Sequence, residues 1–331
     1  MRRKLGKSGI EVSAIGFGAW VIGGWQWGGS DRKESLDAIH ACLDYNITSI
    51  DTAPVYGFGH SERLLGEAIK GKRDRYEILT KFGLRWDTSS GEFYFLTRDN
   101  EGIQKEIHKY AGKESIIAEC EASLKRLRTD YIDLYQIHWP DPTTPISESM
   151  EAVQTLLEQG KIRAAGVSNY SADQMTEAAR HIKLSSNQLP YSMVRREIEE
   201  DIVPWCVDHD CAILAYSPLQ RGLLSGKITP AYPFKPGDSR PETPHFKINN
   251  IIKTNGFLER IKPIADEKKI SLSQLVLNWT LRQTGITMAL AGGRTAAQVT
   301  ENAKAMDVSI TEEEMTLINT ALDDLSLDLH P

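Results

Sequence analysis

The chain has 331 residues, which exceeds the usual length of one domain, but α/β barrels often reach this length as a single domain. Hydrophobic residues make up 40% of the chain and charged residues 25%, a composition that indicates a large buried core and argues against a disordered protein. The formal net charge is -6 and there is no long basic run, which argues against binding to nucleic acid or to an anionic membrane. We therefore expect small-molecule partners.

The start of the chain is basic but lacks the apolar stretch of a signal peptide, and no apolar run is long enough to cross a bilayer. The cysteines have no CxxC spacing, so they match neither a metal site nor a small disulfide framework. We expect all four to be reduced and buried: Cys42, Cys120, Cys206 and Cys211. These features predict a cytoplasmic protein without a bound metal.

Short apolar runs alternate with longer segments of helical periodicity along almost the whole chain, which is the pattern of repeated βα units. Eight of the short runs are predicted to be strands: residues 14–17, 48–51, 76–81, 131–138, 163–167, 185–188, 212–216 and 287–291.

Between the predicted strands, apolar residues recur every three or four positions, which predicts helices with one buried face. Such stripes include Leu36, Ile39 and Leu43; Ile117, Cys120, Leu124 and Leu127; Met150, Val153 and Leu157; and Leu272, Leu275, Val276 and Trp279. Four helix starts carry capping signals: Asp31 with Glu34, Ser171 with Gln174, Thr295 with Gln298, and Thr311 with Glu314. A last stripe predicts a helix outside the sheet: Met315, Ile318, Leu322 and Leu325.

Eight strand and helix pairs can form either an open sheet or a closed barrel. An open dinucleotide-binding sheet would place GxGxxG after its first strand, whereas residues 14–29 read AIGFGAWVIGGWQWGG and lack that order. We therefore predict a (β/α)8 TIM barrel that forms one domain over residues 1–331, with extra helices outside it. Residues 82–112 and 219–248 are long enough to be lids or binding loops, or else variable surface insertions.

Polar residues end several predicted strands, on the barrel face where catalytic groups lie. Asp51 ends one strand and Tyr56 follows it, Lys81 ends the next, and His138 ends the fourth. Hydride transfer to a carbonyl needs a proton donor and positive polarity at the oxygen. Tyr56 is a suitable acid if Lys81 lowers its pKa, Asp51 can hold the lysine, and a neutral His138 can orient the carbonyl. Each residue alone also fits an ion pair or a strand cap, but the four together predict a hydride-transfer site.

Other strand ends offer groups for a nicotinamide ring. Ser168, Asn169 and Gln188 supply the donors and acceptors that a carboxamide needs. Tyr216 can stack on the ring, although an ordinary core aromatic residue is the alternative.

The stretch LAGGRTAAQVTEN combines a strand end, two glycines and a capped helix start, which suits a phosphate. Arg294 adds a cation, while Glu301 and Asn302 can bind an adenine amino group. A plain turn into a helix with a solvated surface is the alternative. For the substrate pocket the candidate walls are aromatic, with core packing as the alternative for some of them: Trp25, Trp27, Trp86 and Trp139, beside Tyr56.

Several stretches resemble the aldo-keto reductases, in family order and over nearly the whole chain: RKLGKSGIEVSAIGFGAW, IDTAPVYGFGHSERLLG, LTKFG, YIDLYQIHWPD, GKIRAAGVSNYS and LAYSPLQRGLLSGK. The resemblance implies an amino-terminal β-hairpin before the barrel and a catalytic tetrad of Asp51, Tyr56, Lys81 and His138. It also implies NADP(H), held along the remaining strand ends by Ser168, Asn169, Gln188, Tyr216, Ser217, Leu219, Gly222, Gly292, Gly293, Arg294, Gln298, Glu301 and Asn302.

The chain is similar in particular to bacterial general-stress and inositol-operon reductases and to potassium-channel β subunits. Many members have a lysine and an arginine where this chain has Gly292 and Gln298, so Arg294 is the candidate for the 2'-phosphate of NADP(H). The resemblance implies an NADP(H)-dependent oxidoreductase that interconverts aldehydes, ketones or sugars and alcohols. The alternatives are a redox-responsive regulatory subunit that binds the cofactor and turns over slowly, and a barrel aldolase with Lys81 as a Schiff base.

Overall fold

The computed structural model describes residues 1–329. Its strands are β1 Arg2–Lys4, β2 Glu11–Ser13, β3 Ile15–Gly18, β4 Ser49–Asp51, β5 Glu77–Phe82, β6 Leu84–Arg85, β7 Glu92–Arg98, β8 Gln104–Lys109, β9 Ile132–Ile137, β10 Ile162–Ser168, β11 Leu184–Pro190, β12 Ala212–Tyr216 and β13 Ile286–Ala291. Its α-helices are α1 Arg32–Asp44, α2 His60–Ala68, α3 Lys113–Leu127, α4 Ile146–Glu158, α5 Ala172–Ala179, α6 Ile202–Asp208, α7 Ile248–Lys268, α8 Leu272–Arg282, α9 Ala296–Ala303 and α10 Glu312–Asp323.

Eight parallel strands close into a barrel in the order β3, β4, β5, β9, β10, β11, β12, β13 and back to β3. The predicted (β/α)8 barrel is therefore confirmed, and each predicted strand overlaps an observed one with ends that differ by at most two residues. The implied hairpin is present as well, since β1 and β2 pair antiparallel before the first barrel strand.

The caps at the helix starts follow the predicted signals in part. Full reciprocal capping boxes form at Ser171 and at Thr311. At Asp31 and at Thr295 the side chain accepts the predicted backbone bond, but the reciprocal bond does not form. At Thr295 the reason is that Oε1 of Gln298 accepts from the backbone N–H of Arg294 instead, at 2.7 Å.

The barrel divides the core into two layers. Between barrel and helices lies a large apolar layer, which contains the helix stripes predicted above. Inside the barrel a smaller cluster includes Leu79, Leu134, Leu214 and Met288, and Leu5 from the hairpin region closes it from below. Burying an aliphatic side chain of this size contributes about 1.5–3 kcal/mol, so both layers support the closed sheet.

The two long segments both contain local secondary structure. Residues 82–112 contain a separate antiparallel sheet, the accessory sheet, in the order β6, β8, β7. Residues 219–248 contain three short 3-10 segments joined by irregular stretches, with Arg221 and Gly222 in the left-handed region at φ 53° and 97°. Both segments contribute walls to the cavity described below.

All four cysteines are free and buried, as expected. Within residues 1–329, no helix has both the length and the apolar character required to cross a membrane.

Candidate active site

A cavity of about 740 Å³ opens at the carboxyl-terminal ends of the barrel strands. This volume lies within the range of cofactor and ligand pockets. All thirteen residues that the sequence assigned to the cofactor line this cavity, and Asp51, Tyr56 and His138 line it too. Residues up to 251 positions apart in the chain are thus brought to one chamber because every barrel strand points its carboxyl end to the same face.

The four predicted catalytic residues form one cluster. Lys81 Nζ donates to Asp51 Oδ1 at 2.6 Å, to the carbonyl oxygen of Thr52 at 2.9 Å and to Tyr56 Oη at 3.2 Å. The ring of His138 stands edge-on to the ring of Tyr56, with 5.8 Å between their centroids. Lys81 has no exposed surface, whereas Tyr56 and His138 are partly accessible from the cavity. A ligand in the cavity therefore meets the phenol and the imidazole, and the ammonium acts from behind the phenol.

Burial dominates the protonation of this cluster. Burial raises the pKa of the Tyr56 phenol well above its ordinary value, and the nearby Asp51 carboxylate acts in the same direction. The lowering of this pKa by Lys81, which the residues alone suggested, is not found, because burial sets the direction of the shift. Burial also lowers the pKa of Lys81, while Asp51 opposes that shift. The phenol thus holds its proton and can donate it.

His138 is neutral near pH 7. Burial lowers the pKa of its imidazole well below the ordinary value, and the charge of Lys81 lowers it further. A neutral imidazole has one N–H to donate, and this is the form that can orient a carbonyl oxygen, as expected from the sequence.

The residues expected at the nicotinamide end bond to one another and to the tetrad. Gln188 Nε2 donates to Asp51 Oδ2 at 2.7 Å, which leaves Oε1 of the amide as an acceptor. Asn169 Nδ2 donates to the carbonyl oxygen of His138, and its Oδ1 accepts from Tyr216 Oη, both at 3.0 Å. Ser168 Oγ donates to the carbonyl oxygen of Gln188 at 2.8 Å. Amide and hydroxyl groups that are fixed in this way offer a cradle for a planar carboxamide.

The other end of the cavity carries the predicted phosphate and adenosine residues. Arg294, just after β13, donates to the carbonyl oxygens of Trp27 and Gly29, which follow the neighbouring strand β3. Asn302 Nδ2 donates to the carbonyl oxygen of Gly292 at 3.1 Å, and Glu301 pairs with Lys227 at 3.5 Å. The guanidinium of Arg294 is thus at the cavity but bonded to backbone oxygens that an anion would have to replace.

Three of the four tryptophans predicted as substrate walls line the cavity, namely Trp25, Trp27 and Trp139. Trp86 does not, which corrects the prediction. Its ring packs edge-on against Phe58 at 5.3 Å, and the accessory sheet holds it outside the chamber.

The comparisons with known proteins agree with this geometry. The Aldo/keto reductase family matches residues 14–323. The aldo-keto reductase YhdN of Bacillus subtilis is 40% identical over 324 residues, which cover 97% of this chain and 93% of the relative. The chain belongs to the aldo/keto reductase family. The expected family is therefore confirmed, and with it the general class of oxidoreductase.

Other relatives of this aldo/keto reductase have more specific names. An NADH-specific methylglyoxal reductase of Escherichia coli is 35% identical over 320 residues, which cover 95% of this chain and 96% of the relative. A glycerol dehydrogenase of Gluconobacter oxydans has a solved structure with a TM-score of 0.87 and 36% identity, covering 98% of this chain and 95% of that one. A Klebsiella pneumoniae aldo/keto reductase in complex with NADP and acetate has a TM-score of 0.73 and 29% identity, covering 96% and 94%.

Several residues at the site escaped the sequence analysis. Trp20 lines the cavity and stacks on Tyr56, with 6.1 Å between the ring centroids. Arg221 and Arg240 also line it, with their guanidinium carbons 5.0 Å and 5.3 Å from the ring of Trp27. The basic residues lie in a segment without clear periodicity, so only their proximity to Trp27 reveals them. Gln136 lies beside Asp51 within an apolar strand, where nothing in the sequence distinguishes it.

Within residues 1–329, no group of three or more histidine, cysteine, aspartate or glutamate residues is arranged to hold a metal ion.

Proposed function

We propose that this protein is an NADP(H)-dependent oxidoreductase that interconverts aldehydes or ketones and alcohols by hydride transfer, with Tyr56 as general acid in the reduction. The observation that carries the proposal is the cluster at the cavity floor, where the Tyr56 hydroxyl lies 3.2 Å from an ammonium that is itself paired with Asp51. The family's oxidoreductase class and the cavity volume support it.

The reduction forms a C–H bond and an O–H bond while the carbonyl π bond breaks. When bound, the dihydronicotinamide supplies the hydride to the carbonyl carbon. Tyr56 gives its proton to the carbonyl oxygen, and the Lys81 ammonium stabilises the phenolate that remains. His138 donates its N–H to the same oxygen and so fixes the orientation of the carbonyl. In the oxidation of an alcohol, the proton returns from the hydroxyl group to Tyr56 and the hydride leaves the carbon for the oxidised nicotinamide.

For the cofactor we propose the sequence-predicted residues. Gln188 and Asn169 present fixed amides toward the cavity, and Tyr216 supplies a ring to stack on. Arg294 is the proposed partner of the 2'-phosphate that distinguishes NADP(H) from NAD(H). The NADP complex of the Klebsiella pneumoniae protein supports NADP(H), whereas the name of the Escherichia coli relative keeps NAD(H) as the alternative to be tested.

For the substrate we propose short aldehydes or ketones and their hydroxylated alcohols. The chamber next to Tyr56 has indole walls from Trp20, Trp25 and Trp139, which pack on C–H faces while His138 and Tyr56 bind the reacting oxygen. The names of the glycerol dehydrogenase and of the methylglyoxal reductase agree with small substrates of this kind. The cytoplasmic location and the single domain over residues 1–331 stay predictions.

The aldolase alternative is disfavoured by the state of Lys81. A Schiff-base lysine must present a neutral, accessible amine. Lys81 has no exposed surface and donates to three oxygens, one of them the Asp51 carboxylate. A regulatory subunit would bind the cofactor but turn over slowly, so the next experiment separates it from the enzyme.

The test is steady-state oxidation of NADPH with a panel of short aldehydes and ketones. We expect turnover by the wild type and a fall in kcat of about 10²–10⁴-fold in Tyr56→Phe, because the general acid is lost. NADPH binding, followed by quenching of tryptophan fluorescence, should remain. The control is Tyr45→Phe, which removes the hydroxyl of an exposed tyrosine. Equal activity of Tyr56→Phe and wild type would refute the proposed acid, and cofactor binding without turnover would favour the regulatory role.

A further inference from the structure

Gln136 is a polar residue in the interior of the barrel. It lies on β9, in register with Lys81 on the neighbouring strand β5, and it has no exposed surface. Two residues earlier on β9, Leu134 belongs to the aliphatic interior cluster. Barrel interiors are commonly filled by branched aliphatic residues, so a buried amide one layer above Leu134 calls for a specific partner.

That partner is Asp51. Gln136 Nε2 lies 3.5 Å from Asp51 Oδ2, the oxygen that also accepts from Gln188 at 2.7 Å. The reverse orientation of the amide would bring its carbonyl oxygen against the carboxylate, so electrostatics selects the orientation with Nε2 toward Asp51. Within residues 1–329, Oε1 of Gln136 finds no hydrogen-bond donor. A buried carbonyl without a donor costs free energy, and the bond to Asp51 offsets that cost.

The surrounding layer keeps this amide in place. On the next strand, a Cβ at Gly166 would lie 3.0 Å from Gln136 Cγ and 2.3 Å from Ser186 Oγ. Glycine at position 166 therefore lets the two polar side chains pack side by side. Ser186 is also fully buried, and among the described residues its hydroxyl has no hydrogen-bond partner and no bond to the tetrad, which makes it a matched control.

We propose that Gln136 is a positioning residue: its amide holds the Asp51 carboxylate toward Lys81 and so keeps the Lys81 ammonium beside Tyr56. Asp51 uses Oδ1 for Lys81, and Oδ2 needs donors because a buried carboxylate without them favours the protonated form. Gln188 is one donor, but it lines the cavity in which the cofactor is proposed to bind. Gln136 lies behind the cavity wall, so its support for Asp51 is independent of what the cavity holds.

The pKa of Lys81 depends on the charged and titratable groups around it. Asp51 on β4 and Glu62 on α2 both raise the pKa of Lys81 and thus oppose the effect of burial. Tyr56 and His138 face the same ammonium from the cavity side. Without the Gln136 donor the Asp51 carboxylate is free to turn away from Lys81, which weakens the interaction that raises the pKa of Lys81, so Lys81 should lose its proton at lower pH.

The first test compares Gln136→Met, which keeps the side-chain length and removes the amide, with Ser186→Ala. The catalytic effect rests on the proposed function. We expect kcat to fall about tenfold, equivalent to about 1.4 kcal/mol, with KM changed less than about twofold. The alkaline limb of the kcat profile should move to lower pH by roughly one unit. Ser186→Ala should keep the wild-type profile. A Gln136→Met profile that coincides with the wild type would overturn the proposal.

The second test does not depend on catalysis. The NMR signal of the lysine ε-carbon is titrated in the cofactor-free protein, with Lys81 assigned by its absence in Lys81→Met. We expect the Lys81 midpoint at lower pH in Gln136→Met than in the wild type and in Ser186→Ala. Equal midpoints would refute the role of Gln136 even if the protein proved to be an active reductase. A complete lack of reductase activity would refute the proposed function. The Lys81 titration would then still decide the role of Gln136.

A further variant guards against a folding defect in Gln136→Met. In Gln136→Glu, a protonated carboxyl can donate its O–H to Asp51 Oδ2 and so replace the lost amide donor. We expect its Lys81 midpoint at or above that of the wild type. A midpoint that falls in Gln136→Glu as well would show that Lys81 responds to packing at position 136, and the positioning role would be rejected.

Discussion

Lys81 shows how single residues depend on one another at this site. An ammonium without exposed surface is costly unless its charge is balanced nearby, and Asp51 provides that balance at 2.6 Å. The carboxylate in turn takes its remaining hydrogen bonds from side-chain amides behind it and beside the cavity. The phenol of Tyr56 bonds to the ammonium and also lines the cavity, so it is placed to pass the influence of Lys81 on to a bound ligand.

A change at Arg294 tests its proposed role as the partner of the 2'-phosphate. Arg294→Gln is expected to raise the Kd for NADPH about tenfold and to leave the Kd for NADH within about twofold, because a guanidinium forms charge-assisted bonds with a 2'-phosphate that NADH lacks. Quenching of tryptophan fluorescence by each cofactor measures both values. Arg32→Gln, which changes an exposed arginine of α1, serves as control. An equal loss of affinity for both cofactors would contradict the assignment.

Glu119 is a titratable residue that links helix α3 to the start of the accessory sheet. Its carboxylate lies on α3 and accepts from the backbone N–H of Gly83 at 3.1 Å, between the ends of β5 and β6. Ser115 donates to it at 3.2 Å, and Arg85 on β6 lies 3.7 Å away. Burial raises the pKa of Glu119 to about 7, against the opposing charge of Arg85.

This pKa predicts how stability depends on pH. From the ordinary pKa of glutamate up to about 7, the folded protein keeps a proton that the unfolded chain has released, so stability falls as pH rises through that window. Glu119→Gln removes this contribution, on the order of 3 kcal/mol. We expect its unfolding free energy to fall less than that of the wild type between pH 5 and pH 8, as measured by urea titration. Glu114→Gln, on the exposed face of the same helix, should follow the wild type.

At the scale of the whole molecule, two distant segments meet over the cavity. Trp27 forms an isolated bridge with Asp238, and the backbone N–H of Ser239 donates to the carbonyl oxygen of Gln26 at 3.4 Å. Arg294, which follows the neighbouring strand β13, adds its bonds to the same amino-terminal segment. A cofactor in this cavity would therefore contact segments from both ends of the chain.

Cofactor binding should accordingly stabilise the whole fold. At 100 times its Kd, NADPH is expected to add about 2.7 kcal/mol to the free energy of unfolding, which calorimetry detects as a higher Tm. Arg294→Gln at the same NADPH concentration should show a smaller rise in Tm, because a weaker Kd reduces the stabilisation. A Tm that stays constant across the NADPH titration would argue against binding to the folded state.

Local pattern was enough to predict the order of strands and helices, the closed barrel and the strand ends that line the cavity. Periodicity and capping act over a few residues, and the carboxyl ends of parallel strands share one face in any such barrel. The residues from Ser168 to Asn302 that strand ends and family motifs assigned to a cofactor all line the cavity, and their contacts with a cofactor stay predictions.

Other features depended on contacts between residues that are far apart in the chain. The support of Asp51 by Gln188 spans 137 positions, and no short window of sequence contains it. The direction of the pKa shift of Tyr56 was predicted wrongly because it depends on burial, which the surrounding walls create. Trp86 also looked like a wall residue until the accessory sheet placed it behind Phe58. Desolvation and packing are sums over the whole surroundings of a group, so only the folded chain decides them.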